Sequence, residues 1–203
     1  MSNGLIIFIK NPEIGKVKTR LAKTIGNQKA LEVYQLLQER TKKVSLGVNA
    51  RRFLFYSNSI AQNDGWTEQE FDKLLQADGN LGERMIDAFR TAFAAGMEKA
   101  IIIGSDCFDI TPELIELAYQ KLNNADVVIG PANDGGYYLI GMKNLNVGLF
   151  QDIEWSTESV FRDTVSKVKK AGFTYETLPT LIDIDTEDDL KASSFNLRLL
   201  SLT

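Results

Sequence analysis

The sequence predicts an α/β fold on a mostly parallel central sheet, and three features carry that prediction. Short runs that are apolar throughout, LIIFI at 5–9, AIIIG at 100–104 and ADVVIGP at 125–131, read as strands buried on both faces. Amphipathic segments of helical length alternate with them. Turn and cap residues mark the boundaries between the two kinds of segment.

The first strand is ended by Asn11-Pro12. NPEIGKVKTRLAKTIGN reads as a loop leading to a helix that begins near Asn27 or Gln28, with an apolar stripe of Leu31, Val33, Tyr34, Leu36, Leu37 and Val44. RRFLFYS, 51–57, is a second strand rich in β-favouring aromatics. Residues 58–80 are polar, with a short helix expected near Thr67–Gln76. Gly82–Ala95 is helical, with Met85, Ala88, Phe89 and Ala92 on one face and Gly96 as its stop. After AIIIG and Ser105-Asp106, Thr111-Pro112-Glu113 opens a helix: an N-cap, a proline in the first turn and an acid beside the helix dipole. The strands 125–131 and 137–142 flank a turn at 133–136, so the sheet is expected to be mixed. Ser156 or Thr157 caps a helix reaching about Ala171, FTYETL follows as a short strand, and Thr186 caps the last helix. With no repeat, low-complexity stretch or linker, residues 1–203 read as one domain.

Composition excludes several functions. There is no histidine, so a histidine base, a Ser-His-Asp triad and a His-ligated zinc are all ruled out. The lone Cys107 permits no internal disulfide, which agrees with a cytoplasmic location, and no basic neighbour in sequence activates its thiol. No run approaches the roughly 18 apolar residues a membrane span needs, so no membrane span is expected. A net charge of −4 argues against a nucleic-acid partner. That charge is unevenly placed. Lys10, Lys16, Lys18, Arg20, Lys23 and Lys29 are opposed only by Glu13, whereas Asp183, Asp185, Glu187, Asp188 and Asp189 cluster near the other end. A nucleotide–metal complex requires both signs; two solvated charge runs are the plainer reading.

Ligands of open α/β sheets bind beyond the C-terminal ends of the strands, and four segments leave strands there. The first carries Gly15, Lys16, Lys18 and Arg20, able to converge on phosphate oxygens although neither P-loop nor GxGxxG spacing is present. In the second, Asp106 ends the best strand and suits a Mg2+ (or Mn2+) ion that keeps water and phosphate ligands, with Asp109 nearby; either acid serves equally as a turn cap. In the third, Asp134-Gly135-Gly136-Tyr137 offers glycines for a ligand's close approach or simply for a hairpin. In the fourth, Asp183 and Asp185 are two apart and share a side if the segment is extended, as metal ligands would.

At these residues the sequence resembles DUF2064, bacterial transferases also described as radical-SAM/selenodomain-associated transferases or glycosyltransferases, of the nucleotide-diphospho-sugar transferase (GT-A) superfamily. FIKNPEIGKVKTRLA, DGNLGERM, IIIGSDCFDITPELI, ADVVIGPANDGGYYLIG, IEWST and DIDTEDDL carry the resemblance along nearly the whole chain. The sequence is similar, more distantly, to phospholactate guanylyltransferases and molybdenum-cofactor nucleotidyltransferases. The resemblance implies a three-layer, Rossmann-like GT-A fold with the nucleotide on the N-terminal half of the sheet. It implies that Lys16, Lys18 and Arg20 meet phosphates, that Asp106 is the superfamily's metal-binding aspartate, and that Asp183 and Asp185 match an acidic D-x-D. Asp134, Gly135, Gly136 and Tyr137 would line the acceptor or sugar side. Phe108 departs from the family's GSDC-proline.

Three activities are carried forward. The resemblance favours glycosyl transfer from a nucleotide-sugar to a small-molecule acceptor. The basic loop favours nucleotidyl transfer from an NTP with release of pyrophosphate. The third is a nucleotide-binding module without catalysis. An acceptor already ionised needs no base; a hydroxyl acceptor needs one, and Asp109 or Asp134 is placed for it.

Overall fold

The computed structural model describes residues 2–195, and alternating apolar runs and amphipathic segments do become strands and helices there. The strands are β1 (Asn3–Ile9), β2 (Arg51–Tyr56), β3 (Asp72–Leu75), β4 (Lys99–Ile103), β5 (Val127–Pro131), β6 (Tyr137–Met142) and β7 (Tyr175–Thr177). The helices are α1 (Thr19–Ile25), α2 (Asn27–Leu46), α3 (Leu81–Ala94), α4 (Pro112–Lys121), α5 (Val160–Lys170) and α6 (Glu187–Ala192), with a 3-10 turn at Val147–Leu149. The sheet order is β3-β2-β1-β4-β6-β5-β7. Only β6 runs against its neighbours; the other pairings are parallel.

Strand alternation explains the layers. Along β1, Leu5, Ile7 and Ile9 join a core with Val44, Ile115 and Tyr119, while Ile6 joins a second with Met85, Phe89 and Val168. Each face is therefore covered by helices, α2 and α4 on one and α3 and α5 on the other. A third cluster, Leu21, Val33, Leu37, Ile184 and Leu190, ties α1 and α6 to α2. Since β1 lies between β2 and β4, the chain leaves β1 in one direction and returns at β4 in the other. The crevice beyond the C-terminal ends of β1 and β4 is the switch point of the sheet.

Two of the expected caps form. Thr111 Oγ1 accepts from Leu114 N at 3.3 Å, and Thr186 makes a capping box with Asp189. Asp189 is thus a structural acid, and Glu187 pairs with Lys191 at 2.8 Å. Three expectations are corrected. Residues 72–75 are an edge strand, not part of a short helix over Thr67–Gln76, because DKLL pairs with Phe53–Tyr56. The stretch read as a loop up to Asn27 contains α1, seated by the single buried residue Leu21. The cap of α5 is Ser159, not Ser156 or Thr157; Ser156 stands at φ 65 and the Thr157 hydroxyl donates to Glu154 O at 2.8 Å. No helix among the described residues is long and apolar enough to cross a membrane.

Candidate active site

Lys18 is the centre of the candidate site. It precedes α1 as a left-handed residue, φ 47 and ψ 44, a conformation that costs a residue with a Cβ about 1–2 kcal/mol. Its side chain is only 3% exposed, and its ammonium stands 2.5 Å from Asp106 Oδ1 and 3.2 Å from Asp185 Oδ1. Burial opposes the charge on Lys18, but Asp106 and Asp185 outweigh it and hold the ammonium above its ordinary pKa. Arg20, 65% exposed, reaches Asp185 Oδ2 at 3.9 Å.

Each acid arrives by a defined route. Asp106 follows β4 after Ser105, and its carbonyl accepts from Ile184 N at 3.0 Å. Cys107 pairs with Asp183 in an isolated antiparallel bridge, which keeps 183–185 extended. Ile184 is fully buried in the third cluster, so Asp183 and Asp185 point the other way. Burial, and then the charges of Asp106 and Asp134, push the Asp183 carboxyl up to about 8; Lys18 pulls the other way. Gly104 forms open floor beside them: a Cβ there would meet nothing within 4 Å. Lys18, Asp106, Asp183 and Asp185 therefore lie together at the switch point, with the exposed Arg20 and Asp134 beside them.

The remaining expected residues divide. Asp134 stays at the rim, with Oδ1 accepting from Gly136 N at 2.9 Å. Gly15, at φ 76, and Lys16 belong to the exposed turn before α1. Lys16 points outward and pairs with Glu13 at 2.5 Å, because nothing buries it as Lys18 is buried. Asp109 is not gathered into the cleft: its carboxylate receives the Ser194 backbone N–H at 3.3 Å and the Ser194 hydroxyl. Gly135 has a packing reason to be glycine. Its φ is +85, a Cβ would overlap the backbone of Glu158, and its carbonyl accepts from Phe161 N at 2.8 Å. Tyr137 is likewise turned inward, with its hydroxyl 4.0 Å from Met85 Sδ and its ring against the second core. Burial pushes the Cys107 thiol up to about 12, so it is inert.

Two supports escaped the sequence reading. Tyr34, read as apolar stripe, has its hydroxyl buried among Lys10 N at 2.8 Å, Ser105 Oγ at 3.2 Å and Gln38 Nε2 at 3.2 Å, so it joins the ends of β1 and β4. Its i, i+4 spacing to Gln38 was the available signal. Arg40 donates to the carbonyls of Phe108 and Ile110, both at 3.2 Å, and lies 5.6 Å from the Phe108 ring. Phe108 packs edge-on against Phe195 at 5.0 Å, which gives the family-atypical residue a packing role.

Among the described residues no three acids converge closely enough to chelate an ion as they stand, because Lys18 sits between Asp106 and Asp185. The donor set still fits a hard divalent ion. It is all carboxylate oxygen, and Asp183 lies among Asp106, Asp134 and Asp185 with the Lys18 ammonium as the cation in contact.

Comparison with known proteins agrees with this fold. Residues 41–157 match the family model described as uncharacterized protein conserved in bacteria, DUF2064. The chain is similar to a Desulfovibrio desulfuricans G20 protein assigned to the nucleotide-diphospho-sugar transferases, with TM-score 0.86, 31% identity and coverage of 99% of this chain and 95% of that one. It shares its fold with a nucleotidyl transferase of Methanothermobacter thermautotroptrophicus, at TM-score 0.62, 14% identity and coverage of 98% and 99%. It also shares its fold with a Mycobacterium tuberculosis H37Rv protein in complex with manganese, at TM-score 0.51, 12% identity and coverage of 99% and 98%. No curated protein matches the chain. The family match over more than half of the sequence and the relative matched along nearly all of it place the chain in the DUF2064 family, on a nucleotide-diphospho-sugar transferase fold.

Proposed function

We propose that this chain is a divalent-metal-dependent transferase that takes a sugar from a nucleotide-sugar and passes it to a small acceptor. One observation carries the reading: the Lys18 ammonium from the loop after β1 meets Asp106 and Asp185 at the switch point of the sheet. Cationic and acidic segments that lie 167 residues apart are thereby joined in one cleft.

Transfer from a nucleotide diphosphate builds negative charge on the leaving oxygen, so the protein's task is positioning and charge stabilisation. Lys18 and Arg20 face that charge, and Lys16 on the same loop adds to the attraction. Asp106, Asp183 and Asp185 would hold a Mg2+ or Mn2+ ion, which screens the phosphates and stabilises the leaving group. Asp134, on its fixed turn, is placed to take the proton of a hydroxyl acceptor. Asp109 and Tyr137 fall outside this assignment, and Gly135 and Gly136 shape the rim. The same proposal covers one nucleotide-binding transferase domain over 1–203, of which residues 1 and 196–203 lie outside those described, and a cytoplasmic setting.

Nucleotidyl transfer is kept as the second reading because three basic residues, Lys16, Lys18 and Arg20, suit the larger charge of a triphosphate. NTPs and NDP-sugars are first screened by thermal shift with and without Mg2+ or Mn2+, since a ligand of the folded state raises stability. The stabilising ligand is then assayed with small acceptors. Free NDP supports the first reading and pyrophosphate the second; binding without either product supports a non-catalytic module.

A further inference from the structure

We propose that Lys18 is the resident cation of the carboxylate cleft and gives up its place when a divalent ion binds, moving onto the phosphates that come with the ion. This rests on the reading of Asp106 and Asp185 as metal ligands. The Lys18 ammonium uses Oδ1 of both acids, the oxygens that an ion between the two would need. The two positive charges therefore compete for the same atoms. The whole Lys18 side chain is shut in, at 3% exposure, while Asp106 and Asp185 keep 43% and 41% of their side chains exposed. Without a cation between them the two carboxylates would repel, so Lys18 keeps the empty cleft assembled. No element of regular structure depends on the Lys18 ammonium. Lys18 makes no side-chain cap to α1, it sits on a turn rather than inside a helix, and its long stem can turn about the left-handed backbone. Lys16 and Arg20, both exposed on the same segment, mark the side on which a phosphate would receive it.

The test reads Lys18 itself. Acetic anhydride labelling of the folded wild-type chain, resolved by peptide mass spectrometry, should find Lys18 protected and Lys16 reactive. With MnCl2 alone, Lys18 labelling should rise several-fold, while Lys73, whose side chain is 6% exposed and paired with Asp64, stays protected. Electron paramagnetic titration of Mn2+ should also show about tenfold tighter binding to Lys18→Met, which lacks the competing charge. If Mn2+ binds and Lys18 stays protected, or if Lys18→Met binds Mn2+ no better, exchange is overturned while the transferase reading stands. If Mn2+ binds neither protein, both the exchange and the metal assignment fall. Should Lys18→Met not fold, the wild-type labelling decides alone.

Discussion

Lys18 and Lys73 both shut their side chains away and bind a carboxylate, yet their surroundings differ. Lys73 meets Asp64 at 2.8 Å with side-chain exposures of 6% and 21%. Around that pair the ledger is closed: Lys73 also donates to Ala61 O, and Asp64 accepts from the Tyr56 hydroxyl and from Trp66 N. Burial opposes ionisation of Asp64, but the bonds from Lys73, Tyr56 and Trp66 prevail and keep its pKa low. One charge answers one charge, and the result clamps the loop after β2. Lys18 instead faces Asp106 and Asp185, with Asp183 and Asp134 close behind. A balanced buried pair signals structure; an unbalanced and partly open one signals a ligand still to come.

That contrast can be broken most forcefully at Asp106. Asp106→Asn should lower metal-dependent turnover about 100-fold or more while circular dichroism and Tm stay near wild type. Unchanged turnover would remove Asp106 from the site. The counterpart, Asp64→Asn, should do the reverse. It leaves Lys73 buried without its charge partner, so denaturant titration should show a loss of about 3 kcal/mol, with turnover per folded molecule preserved. The rim turn offers a finer contrast between adjacent glycines. Gly135→Ala should cost about 2 kcal/mol, since a Cβ would meet the Glu158 backbone at φ +85, whereas Gly136→Ala meets only the movable Asp134 side chain at 3.2 Å and should cost little.

Two gentler measurements sharpen the picture. An unfolded aspartate titrates near 3.9, but Asp183 in the fold titrates near 8, so between those values the native state holds the extra proton. Stability of the metal-free protein should therefore fall as pH rises from about 5 to 8 and level off above, seen as a declining Tm. Asp183→Asn should flatten that slope; a slope that survives would assign it elsewhere. Finally, Arg20→Ala should weaken nucleotide binding more at low salt than at high salt, because an exposed charge is screened within about 10 Å at 0.1 M salt. A loss independent of salt would mean that Arg20 shapes the loop instead.

Much of the frame was legible because it depends on local rules. Ile101, Ile102 and Ile103 need burial on both faces whatever follows them, and Thr111-Pro112-Glu113 and Thr186 carry their caps within a few residues. The paired positions of Asp183 and Asp185 were likewise visible as a period of two. What was hidden depends on distant partners. Asp72–Leu75 is a half-exposed edge strand with too little pattern to separate it from a helix, and its strandedness comes from pairing with β2. α1 was masked by its basic residues. Asp109 and Asp106 look alike in sequence, and only the return of the chain at Ser194 separates them. Tyr34 and Tyr137 could not be told apart as polar anchor and core ring until their hydroxyl partners were in place.

The reversed direction of β6 has a mechanical consequence. Since β6 is laddered to β4 on one side and β5 on the other, the 132–136 turn is gripped at both ends and the backbone at Asp134 is held in place. The opposing segment, from Gly15 to Arg20, is a surface turn held by two buried apolar side chains, Val17 and Leu21. On the proposed reading, variation that retunes substrate choice without loss of the fold is therefore expected at the exposed positions of residues 13–20, Ile14 to Lys16 and Arg20, rather than at the strand-held turn.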